Sequence, residues 1–194
     1  MKPFEFPAIV LASASPRRRE LLAQLGVVHE VLALDLDETP LPGESPRELA
    51  LRLARAKAVE GRRVSGATKP VLGADTVVVA GEQNLAKPAD RADALRMLAL
   101  LSGREHQVLT AVALAAPDGR VLEALSATTV RMRAITPAEA EGYWDSGEPR
   151  GKAGGYAIQG LGAVFIEHIA GSYSGVMGLP LYETARLLQA LSSP

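Results

Sequence analysis

Val71-Leu72-Gly73-Ala74-Asp75-Thr76-Val77-Val78-Val79-Ala80 is a nearly continuous apolar run of strand length, broken only by Gly73, Asp75 and Thr76. Such a run reads as a buried strand. An ionised carboxylate inside it is costly to bury unless a cation or a metal ion pairs with it. Nothing near Asp75 in sequence can do so, so its partner must come from elsewhere in the fold. A structural aspartate capping a neighbouring loop is the other reading.

Working outward from that strand, Ile9-Val10-Leu11-Ala12 reads as a short buried strand. A helix follows, with Ser15 as N-cap and Pro16 at its first position, running to about Leu25 and stopping at Gly26. Val28–Leu34 is a second strand, and the acidic loop Asp35-Leu36-Asp37-Glu38 comes next. Ser45-Pro46-Arg47-Glu48 is a capping box that opens a helix to about Glu60. Beyond the central run, a hairpin leads into Leu85-Ala86-Lys87-Pro88, and Asp90 caps a helix ending near Leu101 with Gly103 as its stop. Strands His106–Ala116 and Val121–Ala134 meet at Pro117-Asp118-Gly119. Thr136-Pro137-Ala138-Glu139 starts a helix to about Asp145, and a glycine-rich stretch runs from Gly147 to Gly162. A strand over Ala163–Ile169 and a helix from Leu179 to Leu191 complete the chain. With no fixed-period repeat and no linker, residues 1–194 read as a single α/β domain with mixed strand directions.

Composition narrows the function. Twenty-one basic against 22 acidic residues leave a formal charge of −1, without the basic excess of a general nucleic-acid binder. An aromatic content of 4% is too low for base-stacking platforms. The chain has no cysteine, which removes disulfides, zinc-thiolate sites and cysteine nucleophiles. His29, His106 and His168 lack any ligand spacing, so a metal would be bound through oxygen. No apolar run approaches the ~20 residues that cross a bilayer, and Ala8–Ala14 leads straight into three arginines. The expectation is a cytosolic soluble protein.

Two more local patterns break the ordinary rules. In Ser13-Ala14-Ser15-Pro16-Arg17-Arg18-Arg19 a strand enters a helix whose first turn carries three arginines. Cations there oppose the helix dipole, and an anion docked on the turn would reverse the sign. A solvated basic turn is the alternative, and Arg19 is the most dispensable of the three. Lys57 lies four places after Leu53, within about 40° of it on the apolar stripe of its helix. It either snorkels or points its ammonium into a polar pocket. With Lys87 and Glu38 added, the set suits attack on a polyphosphate: bases for phosphates, carboxylates for a magnesium-type ion, and one carboxylate for water. P-loop, GxSxG and dinucleotide fingerprints are all missing. The residues alone lead to a metal-assisted phosphoanhydride hydrolase.

Leu11-Ala12-Ser13-Ala14-Ser15-Pro16-Arg17-Arg18, with Glu20-Leu21-Leu22, resembles the N-terminal signature of the Maf family of nucleoside triphosphate pyrophosphatases. The likeness continues through Ala54–Ala58, Gly73–Thr76, Leu85–Pro88, Leu101–Gly103, Lys152–Gly160 and Gly178–Leu181. It implies an inosine-triphosphatase-like fold: a bent mixed β-sheet flanked by helices, with a cleft between two lobes. It also implies cleavage between the α and β phosphates, a divalent cation (Mg2+ or Mn2+), and a homodimer. Asp75 matches the general base, and Glu38 its acidic partner and fellow metal ligand. Lys57 and Lys87 match phosphate-contacting lysines, and Ser13, Arg17 and Arg18 the anion-binding turn. Arg17, Thr76 and Gln159 match the branch acting on dTTP and UTP, with modified pyrimidine nucleotides as further candidates, and not the branch acting on 7-methyl-GTP. A small polar pair such as Thr76 and Gln159 suits the O4/N3 edge of thymine or uracil. A nucleotide-binding regulator of septum formation and cell division, without turnover, is the rival; it would need no water-activating carboxylate. The extension Lys2–Pro7 has no role in the resemblance.

Overall fold

A computed structural model describes residues 5–66 and 68–191. Part of the extension Lys2–Pro7 therefore lies outside the described residues. The chain alternates strands and helices: β1 (Ile9–Leu11), α1 (Pro16–Gln24), β2 (His29–Val31), α2 (Pro46–Ser65), β3 (Val71–Ala80) and β4 (Gln83–Leu85). There follow α3 (Arg91–Leu101), β5 (Glu105–Ala115), β6 (Val121–Met132), α4 (Pro137–Asp145), β7 (Ile166–Ala170), α5 (Tyr173–Met177) and α6 (Leu181–Leu191). The seven strands form one sheet in the order β2-β1-β3-β5-β6-β7, with β4 paired to β3. β1 runs parallel to β2 and β3, whereas β4 is antiparallel to β3 and β7 to β6. Helices lie on the connections between the parallel strands, whereas β4 returns on β3 through a short turn and β7 on β6 after α4, so the sheet is mixed. No helix among the described residues is long and apolar enough to cross a membrane.

The chain divides into two compact units, one of Met1–Asp75, Thr110–Ser126 and Gly178–Pro194, the other of Thr76–Leu109 and Ala127–Met177. In the first, Val10, Ala12 and Val71 form a small core covered by Leu32 and Leu34. α2 lies against β3 so closely that a Cβ on Gly73 would sit 2.3 Å from the carbonyl oxygen of Ala54 and 2.5 Å from the nitrogen of Ala58. α2 also runs past the expected stop at Glu60. Gly61 stays inside it because a side chain there would meet Ala12 at 2.9 Å, and the helix ends where Gly66 turns left-handed (φ 57°). The capping boxes at Ser45 and Thr136 both form.

The second unit holds the larger core, with Val78, Leu98, Leu101, Val130, Met132, Tyr143, Tyr156 and Phe165 among its buried residues. His106 is buried in the same unit, its Nε2 2.8 Å from Tyr156 Oη, and its Nδ1 has no partner among the described residues. Two strands differ from expectation. β2 covers only three of the seven residues in Val28–Leu34, and Glu30 and Val31 are exposed, as a short edge strand allows. The strand placed at Ala163–Ile169 begins only at Ile166, since Leu161–Phe165 form a 3-10 helix. Its first two amides donate to the Glu148 carboxylate instead of to a strand. The five-residue α5, too short to leave a periodic signal, is capped by the Ser172 hydroxyl, which accepts from the Gly175 amide at 3.0 Å.

Two stability predictions follow from this packing. Gly73→Ala forces helix backbone off the strand and should cost about 3 kcal/mol in urea unfolding; an unchanged midpoint would contradict the contact. Burial pulls the His106 imidazole down from 6.5 to about 4. With the folded value below the unfolded one, its contribution is whole above about pH 6.5 and is lost as pH falls toward 4. Wild-type protein should lose up to about 3 kcal/mol over that window through this group, and His106→Phe should flatten the slope. An equally steep decline in the variant refutes the assignment.

Candidate active site

The contact at Gly73 sets the geometry on which the first unit's polar cluster rests. With the helix backbone against the strand, the Cβ of Lys57 comes within 3.0 Å of where a Gly73 side chain would begin. Two residues further along β3 stands Asp75, on the same face by strand alternation. Lys57 Nζ donates to Asp75 Oδ1 at 2.6 Å and lies 2.6 Å from Glu38 Oε1. The Lys57 and Asp75 side chains are 12% and 11% exposed and that of Glu38 is 44% exposed, so the cluster is dry at one end and open at the other. Of the two expected fates for Lys57, the polar pocket is the one observed. The cation that Asp75 lacked in sequence arrives from a helix 18 residues away.

Burial pushes the Asp75 carboxyl above its ordinary range; Lys57, and then Arg18, oppose the shift, while the negative charge of Glu38 adds to it. Glu38 itself sits on an otherwise irregular loop that is pinned at several points. Asp37 Oδ1 accepts from the Thr39 amide at 2.9 Å, and Glu44 Oε2 from the Leu41 amide at 3.0 Å. From α2, Arg52 grips Glu44 through Nε and Nη2 (2.5 and 2.8 Å), and Nη2 also donates to the Thr39 carbonyl at 3.1 Å. The Arg52 fork holds the Glu44 carboxyl down at about 2. This clamp was not singled out in the sequence; its only trace there is an acid in the loop and an arginine eight residues later.

The turn into α1 is built differently from the expected cap. Ser15 occupies the N-cap position, but its side chain makes no capping bond. Buried Ser13 does more: its Oγ accepts from the Ser15 amide at 3.2 Å and from Arg18 Nη1 at 3.1 Å. Arg18 Nε donates to the Gly178 carbonyl at 2.8 Å, which ties the Gly178–Leu181 segment to this turn. Desolvation lowers the Arg18 pKa, and the charges of Asp75 and Glu38 raise it, so this guanidinium feels both acids. Arg17 is half-buried and Arg19 exposed. The first unit thus gathers Ser13, Arg18, Glu38, Lys57 and Asp75.

Lys87, Thr76 and Gln159 belong to the second unit. Lys87 and Gln159 are exposed and Thr76 is half-buried. The carbonyl before Lys87, that of Ala86, accepts from the Gly154 amide at 3.1 Å, which joins the Lys87 loop to the Lys152–Gly155 segment. Gly154 (φ 70°) is pressed onto Val78, where a Cβ would come within 2.9 Å. Among the described residues, no three His, Asp or Glu side chains gather to cage a metal ion. Glu38 and Asp75 supply two carboxylates, a donor set that suits a hard cation taking its other oxygens from phosphates and water.

Comparison with known proteins adds to these observations. A dITP/XTP pyrophosphatase from Mycobacterium abscessus overlays 66% of this chain and 75% of its own at 21% identity, with a TM-score of 0.42. The Ham1 protein of Staphylococcus aureus overlays 64% and 71% at 15% identity, with a TM-score of 0.41. A protein from Bordetella parapertussis named dTTP/UTP pyrophosphatase is 56% identical over 192 residues, covering 95% of this chain and 92% of that one. One of the same name from Pseudoalteromonas translucida is 53% identical over 182 residues, covering 94% and 96%. The family described as Maf-like protein matches residues 8–191. With its signature turn, its lysine and its two acids all inside that match, the chain belongs to the Maf family.

Proposed function

We propose that this protein is a nucleoside triphosphate pyrophosphatase that hydrolyses dTTP and UTP to the monophosphate and pyrophosphate. The observation that carries the mechanism is the Lys57 ammonium seated between Glu38 and Asp75. The two acids also argue against a regulator without turnover, which would have no use for a water-activating carboxylate. When bound by Glu38 and Asp75, a divalent cation would neutralise phosphate charge and polarise the phosphate oxygens.

Asp75 orients a water for in-line attack on the α-phosphorus and takes its proton. Burial makes Asp75 a stronger base than an ordinary carboxylate, which suits that task. Lys57 keeps both carboxylates in register and offsets negative charge that develops on the transferred group. Arg18, fixed by Ser13 and Gly178, shapes the anion-binding turn, and Arg17 meets the phosphates. Lys87 contributes positive charge to the leaving pyrophosphate, and Thr76 and Gln159 read the pyrimidine edge. These last three roles rest on the sequence resemblance, as do a homodimeric state, a cytosolic location and Mg2+ or Mn2+ as the cation.

Asp75→Asn removes the base while keeping its shape, and should lower kcat for dTTP about a thousandfold with the urea midpoint retained. Undiminished pyrophosphate release would end the assignment of Asp75. Lys57→Met removes the leading influence that holds the Asp75 pKa down. The acid limb of kcat/KM should move to higher pH in that variant, because the carboxylate form is reached later. A limb that stays in place or moves down would show that another group controls it.

A further inference from the structure

One carboxylate in the second unit has no part in the chemistry above. Glu148 is half-buried, and its two oxygens accept three hydrogen bonds: from Tyr143 Oη at 2.7 Å, from the Gly162 amide at 3.0 Å and from the Leu161 amide at 2.9 Å. Burial works against the Glu148 anion, yet those three donors outweigh it and leave the pKa below the ordinary range. Tyr143 Oη, itself buried, accepts from the Ala157 amide at 3.0 Å. The amides of residues 157, 161 and 162, on both sides of exposed Gln159, are therefore tied to one phenol–carboxylate pair.

Gly160 shows how close that pair lies. A Cβ on Gly160 would fall 2.0 Å from Glu148 Oε2 and 2.4 Å from its Cδ. The φ of Gly160 is −118°, outside the left-handed region, and the clash of a Cβ with Glu148 makes space a demand for glycine here. Amides at an exposed turn could bond to water at little cost. Holding them on a half-buried charge fixes the shape of the turn whose tip is Gln159.

We propose that Glu148, oriented by Tyr143, is a positioning residue for pyrimidine selectivity, holding the 157–162 turn so that Gln159 presents its amide to the base. The inference rests on the reading of Gln159 as a base-contacting residue. The role demands an acceptor at both oxygens. Glutamine in place of Glu148 would turn an amide N–H2 toward peptide N–H groups that need an acceptor.

The test compares kcat/KM for dTTP and dGTP in Glu148→Gln, Gly160→Ala, Tyr143→Phe and Gln159→Ala, at enzyme concentrations that make dGTP hydrolysis measurable. Glu148→Gln should lower the dTTP:dGTP ratio about tenfold through KM for dTTP. Gly160→Ala should do the same, because its Cβ displaces the carboxylate. Tyr143→Phe should shift the ratio in the same direction by less, and decides the matter if the other two fail to fold. The double variant Glu148→Gln/Gln159→Ala should discriminate no worse than Gln159→Ala alone. Partial unfolding lowers kcat on every nucleotide alike and leaves the ratio untouched, so a purely structural role for Glu148 predicts no change in it. If Gln159→Ala lowers the ratio while Glu148→Gln and Gly160→Ala keep it, the positioning role is overturned and the base contact stands. If Gln159→Ala also keeps it, both are overturned.

Discussion

A lysine ammonium shared by two carboxylates in a mostly buried setting demands that its stem be delivered at short range from a rigid element. Gly73 is what permits this, by letting the backbone of α2 rest on β3. A side chain at that position would lift the helix and withdraw Lys57 from Asp75. Lys57 alone leaves the two ionised acids in excess, and the Arg18 guanidinium, which feels both of them, brings the group to neutrality. Ion pairs of this kind give little net stability, since desolvation offsets much of the attraction.

Asp75 was legible in the sequence because it broke a pattern: a carboxylate inside an apolar strand asks for a partner whatever the fold. The two capping boxes were legible because their logic lies within four residues. Lys57 was ambiguous, since helix periodicity places a stem and not the ammonium at its end. What could not be read depended on distant acceptors. Ala163–Phe165 look like the start of a strand, but they belong to a 3-10 helix whose first amides, those of Leu161 and Gly162, are taken by Glu148, more than ten residues away. Gly61 looks like a helix stop, and Ala12 and Val71 instead make it a packing position. The Arg52–Glu44 clamp and the Arg18–Gly178 bond likewise join residues that no local rule connects.

The two units use one device with opposite signs. Arg18 is a cation held on a backbone carbonyl, that of Gly178, and Glu148 an anion held on backbone amides. In each case a serine or tyrosine hydroxyl completes the grip, Ser13 for the arginine and Tyr143 for the glutamate. Charged side chains employed in this way order loops that lack ladder hydrogen bonds, which is where recognition residues are placed.

The Arg52–Glu44 clamp bears on how acid acts on this protein. Glu44 keeps its charge down to about pH 2, whereas burial raises the Asp75 carboxyl above its ordinary range, so the segment presenting Glu38 stays tethered while Asp75 gains its proton. Charge pairing and loop architecture are thereby uncoupled along the acidity axis: the bond between Asp75 and Lys57 gives way to protons before the tether on the neighbouring loop does.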